Sequence, residues 1–269
     1  MSTDTGVAAG TPLSSGIIWV ASYPKSGNTW VRAFLHNLVR LRHWESGEQD
    51  INAMSRFSTW DLDKKRYAEL LGFEPDNAAH RNEIAATRLA VHRQIADAAQ
   101  GLVFIKTHNA LVMDRGHSTI NFAVTAGAVY VVRNPLDVAI SYAHHAGTSI
   151  DSAIARMAVA DAETPGSDAT IYEVQGSWSQ HVFSWTRNSH RALHVVRYED
   201  MLADPQQTSV RWRGISCSIR PAAIWRGRSS VPLSRACRRK KRKRAFVNGR
   251  RTPIGISFAK VGPDNGGTC

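Results

Sequence analysis

The sequence predicts an α/β fold in which helices cover both faces of a parallel β-sheet, forming a three-layer sandwich. Four short apolar runs indicate the strands, because a strand of a parallel sheet is buried on both faces. They lie at residues 16–21, 102–105, 126–132 and 192–196. Each run ends directly before a polar cluster, and the carboxyl ends of parallel strands share the edge of the sheet where ligands bind.

Three helices are predicted between these strands. Apolar residues recur at helical spacing from Val31 to Val39, directly after the first strand. Residues 85–99 form the clearest helix, which Gly101 ends, and a further helix runs from Leu136 to about His145. Strands that alternate with helices favour the crossover connections of a parallel sheet.

Charge divides the chain into two parts of different composition. Residues 205–269 hold 16 of the 34 Lys and Arg but one of the 22 Asp and Glu, a net charge of +15. Residues 1–204 carry a net charge of −3 and contain none of the three cysteines. This larger part therefore cannot form a disulfide or a thiolate metal site.

The amino-terminal residues 1–15 have neither the basic start nor the apolar stretch of a signal peptide, and we interpret them as a flexible lead-in. No apolar run reaches the roughly 18 residues that a membrane span needs. We therefore expect a cytoplasmic protein with one folded domain at 16–207 and a basic, poorly ordered tail at 208–269.

A turn-rich loop, Ser-Tyr-Pro-Lys-Ser-Gly-Asn-Thr-Trp at 22–30, lies between the first strand and its helix. Backbone N–H groups at a helix start attract an anion, and the helix dipole adds to that attraction. Gly27 lets the backbone approach a phosphate, Ser26 and Thr29 can donate hydroxyl hydrogens, and Lys25 adds charge. The loop therefore predicts a phosphate site, although it does not match the G-x-x-x-x-G-K-[ST] pattern of nucleotide triphosphatases.

Residues 23–30 (YPKSGNTW) resemble the 5′-phosphosulfate loop, YPKSGTTW, of the sulfotransferases that use 3′-phosphoadenosine 5′-phosphosulfate (PAPS). Asn28 replaces the commoner Thr. Four more stretches resemble motifs of that family in the same order: FIKTH at 104–108, VRNPLDVAISY at 132–142, GSWSQHV at 176–182 and RYED at 197–200. The resemblance covers about residues 16–206.

The resemblance implies a P-loop-type parallel sheet and transfer of a sulfuryl group from PAPS to a hydroxyl or amine, leaving adenosine 3′,5′-bisphosphate. The acceptor would be a small molecule, a lipid or a glycan. The implied donor-binding residues are Lys25, Ser26, Gly27, Asn28 and Thr29 at the 5′-phosphosulfate, Arg133 and Ser141 at the 3′-phosphate, and Trp30 and Tyr198 at the adenine.

The catalytic residues implied by the resemblance are His108, Lys25, Lys106 and Ser141. His108 would remove the proton from the acceptor, a task that suits an imidazole with its ordinary pKa near 6.5. Lys25 would stabilise charge on the leaving phosphate oxygen, and Lys106 would steady the sulfuryl oxygens. No metal is expected, because these cationic side chains neutralise the charge.

The resemblance stops near residue 207. The family continues with a helix and a loop of the form FFRxGxxGxW that contacts the 3′-phosphate, and residues 208–269 contain no such loop. Three interpretations are open: a basic arm for nucleic acid or an anionic membrane, a disordered extension, or a frameshifted translation of the usual carboxyl terminus.

A second reading frame favours the frameshift. Residues 255–268 can be encoded by GC-rich codons that, read from the third base of the first codon, translate as HFFREGRAGQWRD, the form of the missing loop. A shift near Thr208 also explains together the lost Glu residues, the excess of Arg and the cysteines. This hypothesis predicts weak PAPS binding, because one wall of the 3′-phosphate site is missing.

The sequence leaves two other functions open. The basic tail, with RRKKRKR at 238–244, would attract nucleic acid, but it has no interleaved aromatic residues and no reader motif. A P-loop kinase-like phosphotransferase using ATP is the other alternative. The lack of a Walker lysine pattern and of a clear metal-holding Asp argues against it.

Overall fold

A computed structural model of the chain describes residues 15–42, 58–99, 101–190 and 192–204. Its strands, in chain order, are β1 (Gly16–Ser22), β2 (Ser58–Trp60), β3 (Leu102–Thr107), β4 (Met113–Asp114), β5 (His117–Ser118), β6 (Thr125–Val132), β7 (Glu163–Thr164), β8 (Glu173–Val174) and β9 (Leu193–Arg197). Five of them form one parallel sheet in the order β2-β3-β1-β6-β9. The strands β4–β5 and β7–β8 form two short antiparallel pairs.

The helices are α1 (Asn28–Arg42), α2 (Lys64–Leu71), α3 (Arg81–Ala99), α4 (Pro135–Ala146), α5 (Ile150–Ala158), α6 (Trp178–Thr186) and α7 (Tyr198–Ala203). Local sequence explains several of their ends. The Asn134 side chain caps α4 and Pro135 occupies its first turn, while Gly147 ends it in the left-handed conformation. The three predicted helices are confirmed as α1, α3 and α4, each somewhat longer than expected.

Strand β1 shows why the fold has three layers. Its side chains alternate, so that Ile17, Trp19 and Ala21 belong to one apolar core and Ile18 and Val20 to another. The first core includes Ile84, Val91 and Ile95 of α3, and the second includes Val31 and Leu35 of α1. The predicted α/β sandwich, with helices on both faces of a parallel sheet, is confirmed for the described residues.

The chain reverses direction across the sheet at β1, which has β3 on one side and β6 on the other. The carboxyl ends of these strands and of β9 carry the loops that follow Ser22, Thr107, Val132 and Arg197. In open α/β sheets, a ligand crevice forms at this kind of reversal.

The structure departs from the sequence prediction in several places, two of which concern the main sheet. No strand is predicted between the first helix and residue 102, but β2 forms an edge strand there, paired with β3. Three residues are too few to show a period of two. The strand expected at 192–196 is β9, one residue later. The tail at 208–269 lies outside the described residues, as do positions 1–14 of the lead-in.

No helix in the described part of the chain is both long enough and apolar enough to cross a membrane.

Candidate active site at the carboxyl edge of the sheet

The loop after β1 is held in place by its own buried side chains. Tyr23 is 1% exposed and packs in an apolar cluster with Val138 and Met157. The Asn28 side-chain amide donates to the Val20 carbonyl oxygen at 2.8 Å and to Ser22 Oγ at 3.3 Å. Asn28, expected to contact the donor, thus uses its amide nitrogen to tie the start of α1 to the end of β1.

Two residues of the loop have positive φ angles, Lys25 at 66° and Gly27 at 99°. At Gly27 glycine is required for a second reason: a Cβ there would lie 2.7 Å from Cε2 of Tyr198. The chain therefore passes against the aromatic ring at the start of α7. This contact brings the loop after β1 to the residue that follows β9.

Arg133 joins the same group. Its Nη1 donates to the Lys25 carbonyl oxygen at 3.1 Å, and its guanidinium lies 4.5 Å from the centre of the Tyr198 ring. The Asn134 N–H donates to Glu199 Oε1 at 2.8 Å. The segments that follow β1, β6 and β9, which are far apart in sequence, are thus bound to one another.

Three buried polar atoms at this junction have no hydrogen-bond partner within the described residues: Ser26 Oγ, Asn28 Oδ1 and Arg133 Nε. Buried polar atoms are usually paired, so unpaired ones at one place need an explanation. The first-turn N–H groups of α1 lie beside two of them and have no acceptor within the helix. A hydroxyl, a guanidinium N–H and a helix start together fit a phosphate group.

His108 follows β3 and is fixed at three points. Its Nδ1–H donates to the Ser22 carbonyl oxygen at 2.6 Å, because a carbonyl can only accept. Its backbone N–H donates to Glu173 Oε1 at 2.8 Å, and its carbonyl oxygen accepts from His181 Nε2–H at 3.1 Å. The ring nitrogen left without a proton is therefore Nε2, the atom that can act as a base.

His181 has a defined tautomer for the same reason. Because its Nε2 carries the proton, its Nδ1 accepts from the Tyr130 hydroxyl at 2.9 Å. Burial lowers the pKa of His181 to about 3, so the ring stays neutral. Tyr130 is itself fully buried in the core, and the His108 carbonyl is thereby linked to the centre of the sheet.

The charges around His108 change its chemistry. Burial, and then the positive charge of Lys106, hold the pKa of His108 well below 6.5, so the expectation of an ordinary imidazole pKa is wrong. Burial lowers the pKa of Lys106, and the Glu173 carboxyl opposes that shift. Burial raises the pKa of Glu173 to about 7, against the effect of Lys106 and of the His108 N–H. His108 is therefore neutral at pH 7, but the same effects also make it a weaker base than an exposed imidazole.

The remaining predicted residues lie on the adjoining helices and at the end of β3. Thr29 is exposed in the first turn of α1, and Trp30 is half-buried with its ring stacked on Phe34, 5.7 Å between centroids. Ser141 is half-buried on α4, two turns after Arg133 and its loop. Lys106 Nζ lies 4.9 Å from the centre of the Trp60 ring at the end of β2.

Sequence reasoning missed four residues that shape this site: Ser22, Glu173, His181 and Glu199. Ser22 and His181 stand inside or beside recognised motifs, and their positions alone could have suggested a supporting role. Glu199 pairs with the nearby Arg197 at 4.0 Å and also accepts from the Asn134 N–H. Nothing in the sequence around Glu173 indicates its role, because its partner His108 is 65 residues away.

Among the described residues, no cluster of three or more His, Cys, Asp or Glu side chains could hold a metal ion.

A family model, described as the sulfotransferase domain, matches residues 16–211. The chain belongs to the sulfotransferase family. The match contains every motif on which the resemblance was based, and it ends close to residue 207, where the motifs stop.

Three proteins that are similar to this chain are distant relatives. Luciferin sulfotransferase of Photinus pyralis is 28% identical over 132 residues, which cover 48% of this chain and 32% of that protein. Retinol dehydratase in complex with androsterone and the inactive cofactor PAP aligns at 17% identity and a TM-score of 0.42 over 75% of this chain and 59% of its own. Mouse sulfotransferase SULT7A1 complexed with PAP aligns at 17% identity and a TM-score of 0.44, over 76% and 58%. The chain spans less than two thirds of the length of each.

Proposed function

We propose that the domain at 16–207 transfers a sulfuryl group from PAPS to a hydroxyl or amine of a small molecule, lipid or glycan. The observation that carries the proposal is the meeting of the loop after β1 with Arg133 and Tyr198, where three buried polar atoms have no partner among the described residues. Membership of the sulfotransferase family supports the choice of a sulfuryl group over a phosphoryl group.

The donor would lie across the carboxyl edge of the sheet. In this proposal Lys25, Ser26, Gly27 and the first turn of α1 hold the 5′-phosphosulfate, with Asn28 in support, and Thr29 adds a hydroxyl. Arg133 and Ser141 hold the 3′-phosphate, and the rings of Trp30 and Tyr198 contact the adenine. PAPS supplies the activated sulfuryl group, and no metal is needed because these cations balance its charge.

His108 would act as the general base. Its Nε2 accepts the proton of the acceptor hydroxyl or amine as the new bond to sulfur forms and the bond from sulfur to the phosphate oxygen breaks. Lys106 faces the transferring oxygens, and Lys25 stabilises the negative charge left on the phosphate. The fixed Nδ1–H bond to the Ser22 carbonyl keeps the basic nitrogen in one place throughout.

The tail decides how well this particular chain binds the donor. We propose that residues 208–269 are a frameshifted translation, so that the second wall of the 3′-phosphate site is missing. The frame-restored chain, in which residues 208–269 are replaced by the translation of the shifted frame, would supply that wall. An unshifted genomic sequence that encodes the present tail would rule this out.

Isothermal titration with adenosine 3′,5′-bisphosphate tests the donor site. We expect the frame-restored chain to bind at least about tenfold more tightly than the present chain, the equivalent of one charge-assisted hydrogen bond. Lys25→Ala and Arg133→Ala should each weaken binding by a similar factor, whereas the exposed Arg93→Gln should not. Equal affinity in all five proteins would contradict the proposed site.

A further inference from the structure

A cavity of about 590 Å³ lies away from the carboxyl edge of the sheet. Its floor is formed by the first halves of β6 and β9, with Thr125, Ala128 and Leu193, on the face that α3 covers. The β4–β5 pair borders it on one side and the end of α6 on another. Arg133 and the loop after β6 stand at the opposite end of the same strand, so the cavity is distinct from the proposed donor site.

The inner wall is mainly apolar, and the polar side-chain groups on it are already hydrogen-bonded. Trp19 Nε1 donates to Thr125 Oγ1 at 2.9 Å, Trp185 Nε1 donates to the Asn109 carbonyl at 3.0 Å, and Ser184 Oγ donates to the His181 carbonyl at 2.8 Å. A molecule inside would gain nothing from hydrogen-bonding groups there. Cavities of roughly 300–1,000 Å³ with such walls are typical of small-molecule sites.

The mouth of the cavity, unlike its inner wall, is polar and basic. Arg187, Asn188 and His190 line it, and none of the described lining residues is acidic. His190 Nδ1 accepts from the Ala192 N–H at 3.1 Å, so its Nε2 carries the proton and can donate. Three groups that can donate, one of them a full positive charge, therefore stand where a bound molecule would meet solvent.

Two large apolar side chains extend the wall to the surface. Phe122 is 66% exposed and Met113 is 65% exposed, and both line the cavity. Large side chains of this kind beside a concave apolar wall mark binding sites more often than isolated exposed residues do. Their position would cover the apolar part of a ligand that is seated on the floor.

We propose that this cavity binds a small apolar molecule that carries one anionic group, with the apolar body on the β6–β9 floor and the anion at Arg187. The interior is apolar with its polar side-chain groups already hydrogen-bonded, and the described rim residues are basic or neutral. This combination favours an apolar body with one anionic group. A neutral apolar molecule would make no use of the Arg187 charge, and a strongly polar one would find few free hydrogen-bonding groups inside.

The test uses the full chain and 8-anilinonaphthalene-1-sulfonate, a fluorescent probe with an apolar ring system and one anionic group. N-phenyl-1-naphthylamine, which has the same rings without the charge, is the matched probe. We expect the sulfonate to bind with one site and at least about tenfold more tightly than the neutral probe. Equal affinity for the two probes would overturn the assignment of an anionic group.

Four variants locate the site. Ala192→Trp places an indole at the mouth from an exposed position and should lower the sulfonate's affinity at least about tenfold, while Ala78→Trp, exposed elsewhere, should not. Arg187→Gln should bring its affinity close to that of the neutral probe, and Arg93→Gln should leave it unchanged. Undiminished binding to Ala192→Trp would show that the probe lies elsewhere, on the basic tail for example, and would overturn the proposal.

Discussion

His108 is held through its ring, its amide and its carbonyl by three different parts of the chain. The three partners, Ser22, Glu173 and His181, come from β1, β8 and α6. A general base must keep its nitrogen within hydrogen-bond reach of the proton that it removes. We interpret these contacts as the physical reason why an imidazole after β3 can serve as a base.

Glu173 should control the pH dependence of the reaction. Its pKa is raised to about 7, so the carboxylate beside Lys106 forms as the pH passes neutrality. The rate of sulfuryl transfer by the frame-restored chain should therefore show an inflection near pH 7 that Glu173→Gln removes. Gln keeps an acceptor for the His108 N–H, whereas Glu173→Ala loses it and should be slower. An inflection that persists in Glu173→Gln would contradict this role.

The same residue affects stability. Because the pKa of Glu173 in the folded protein lies above its ordinary 4.5, its protonated form is favoured by folding. Its contribution is complete below about pH 4.5 and is lost as the pH rises through 7. Urea unfolding should show that the free energy of unfolding falls, relative to Glu173→Gln, by at most about 3 kcal/mol between pH 5 and pH 8.

Gly27 should tolerate no side chain. Gly27→Ala would strain a backbone with φ of 99° and would push a methyl group into the Tyr198 ring. Gly72→Ala is the matched control, because Gly72 has φ of 78° but nothing within 4 Å of its would-be Cβ. Both changes should cost about 1 kcal/mol or more in thermal unfolding. Only Gly27→Ala should also weaken binding of adenosine 3′,5′-bisphosphate, and equal effects on binding would contradict the contact.

The stability of helix α6 affects the segment that holds His108. Ser177 and Gln180 form a capping box at its start, and the helix carries His181 and Trp185, which bind the carbonyl oxygens of His108 and Asn109. The first turn of α6 therefore supports the segment that holds the base. A loss of order in this turn should therefore slow the reaction, although no residue that contacts the donor is changed.

Ser177→Ala should thus lower both stability and rate. Loss of an N-cap hydroxyl costs about 1 kcal/mol, which denaturant unfolding would measure. Ser149→Ala removes the equivalent cap from α5, whose Ser149 accepts from the Ser152 N–H, and should cost a similar amount. We expect Ser177→Ala to slow sulfuryl transfer in the frame-restored chain more than Ser149→Ala does. Equal rates in the two variants would show that the stability of α6 does not affect the active site.

At the scale of elements, the sequence predicted what depends on local pattern. Buried apolar runs and helical spacing identified β1, β3, β6 and β9 with α1, α3 and α4. The edge strand β2 was missed because three residues carry no periodicity. Glu173 was missed because its role depends on a partner 65 residues away, and the low pKa of His108 was missed because the burial that causes most of the shift exists only in the folded chain.

The whole molecule combines a family domain with a tail of another composition. The motifs and the matched region end within a few residues of each other, at about 207 and 211. Beyond them the chain is strongly basic, a property that attracts any polyanion in a salt-dependent way whatever the origin of the sequence. We assign the chemistry to the domain, and we expect the tail to limit donor binding.

Transfer of labelled sulfuryl from PAPS to a panel of hydroxyl and amine acceptors tests that central claim most directly. The frame-restored chain should form a labelled product, and the present chain should form at least about tenfold less at a subsaturating PAPS concentration. His108→Ala in the frame-restored chain should lower the rate by about 10²–10⁴-fold. No product from a frame-restored chain that binds adenosine 3′,5′-bisphosphate, or an undiminished rate in His108→Ala, would contradict the account.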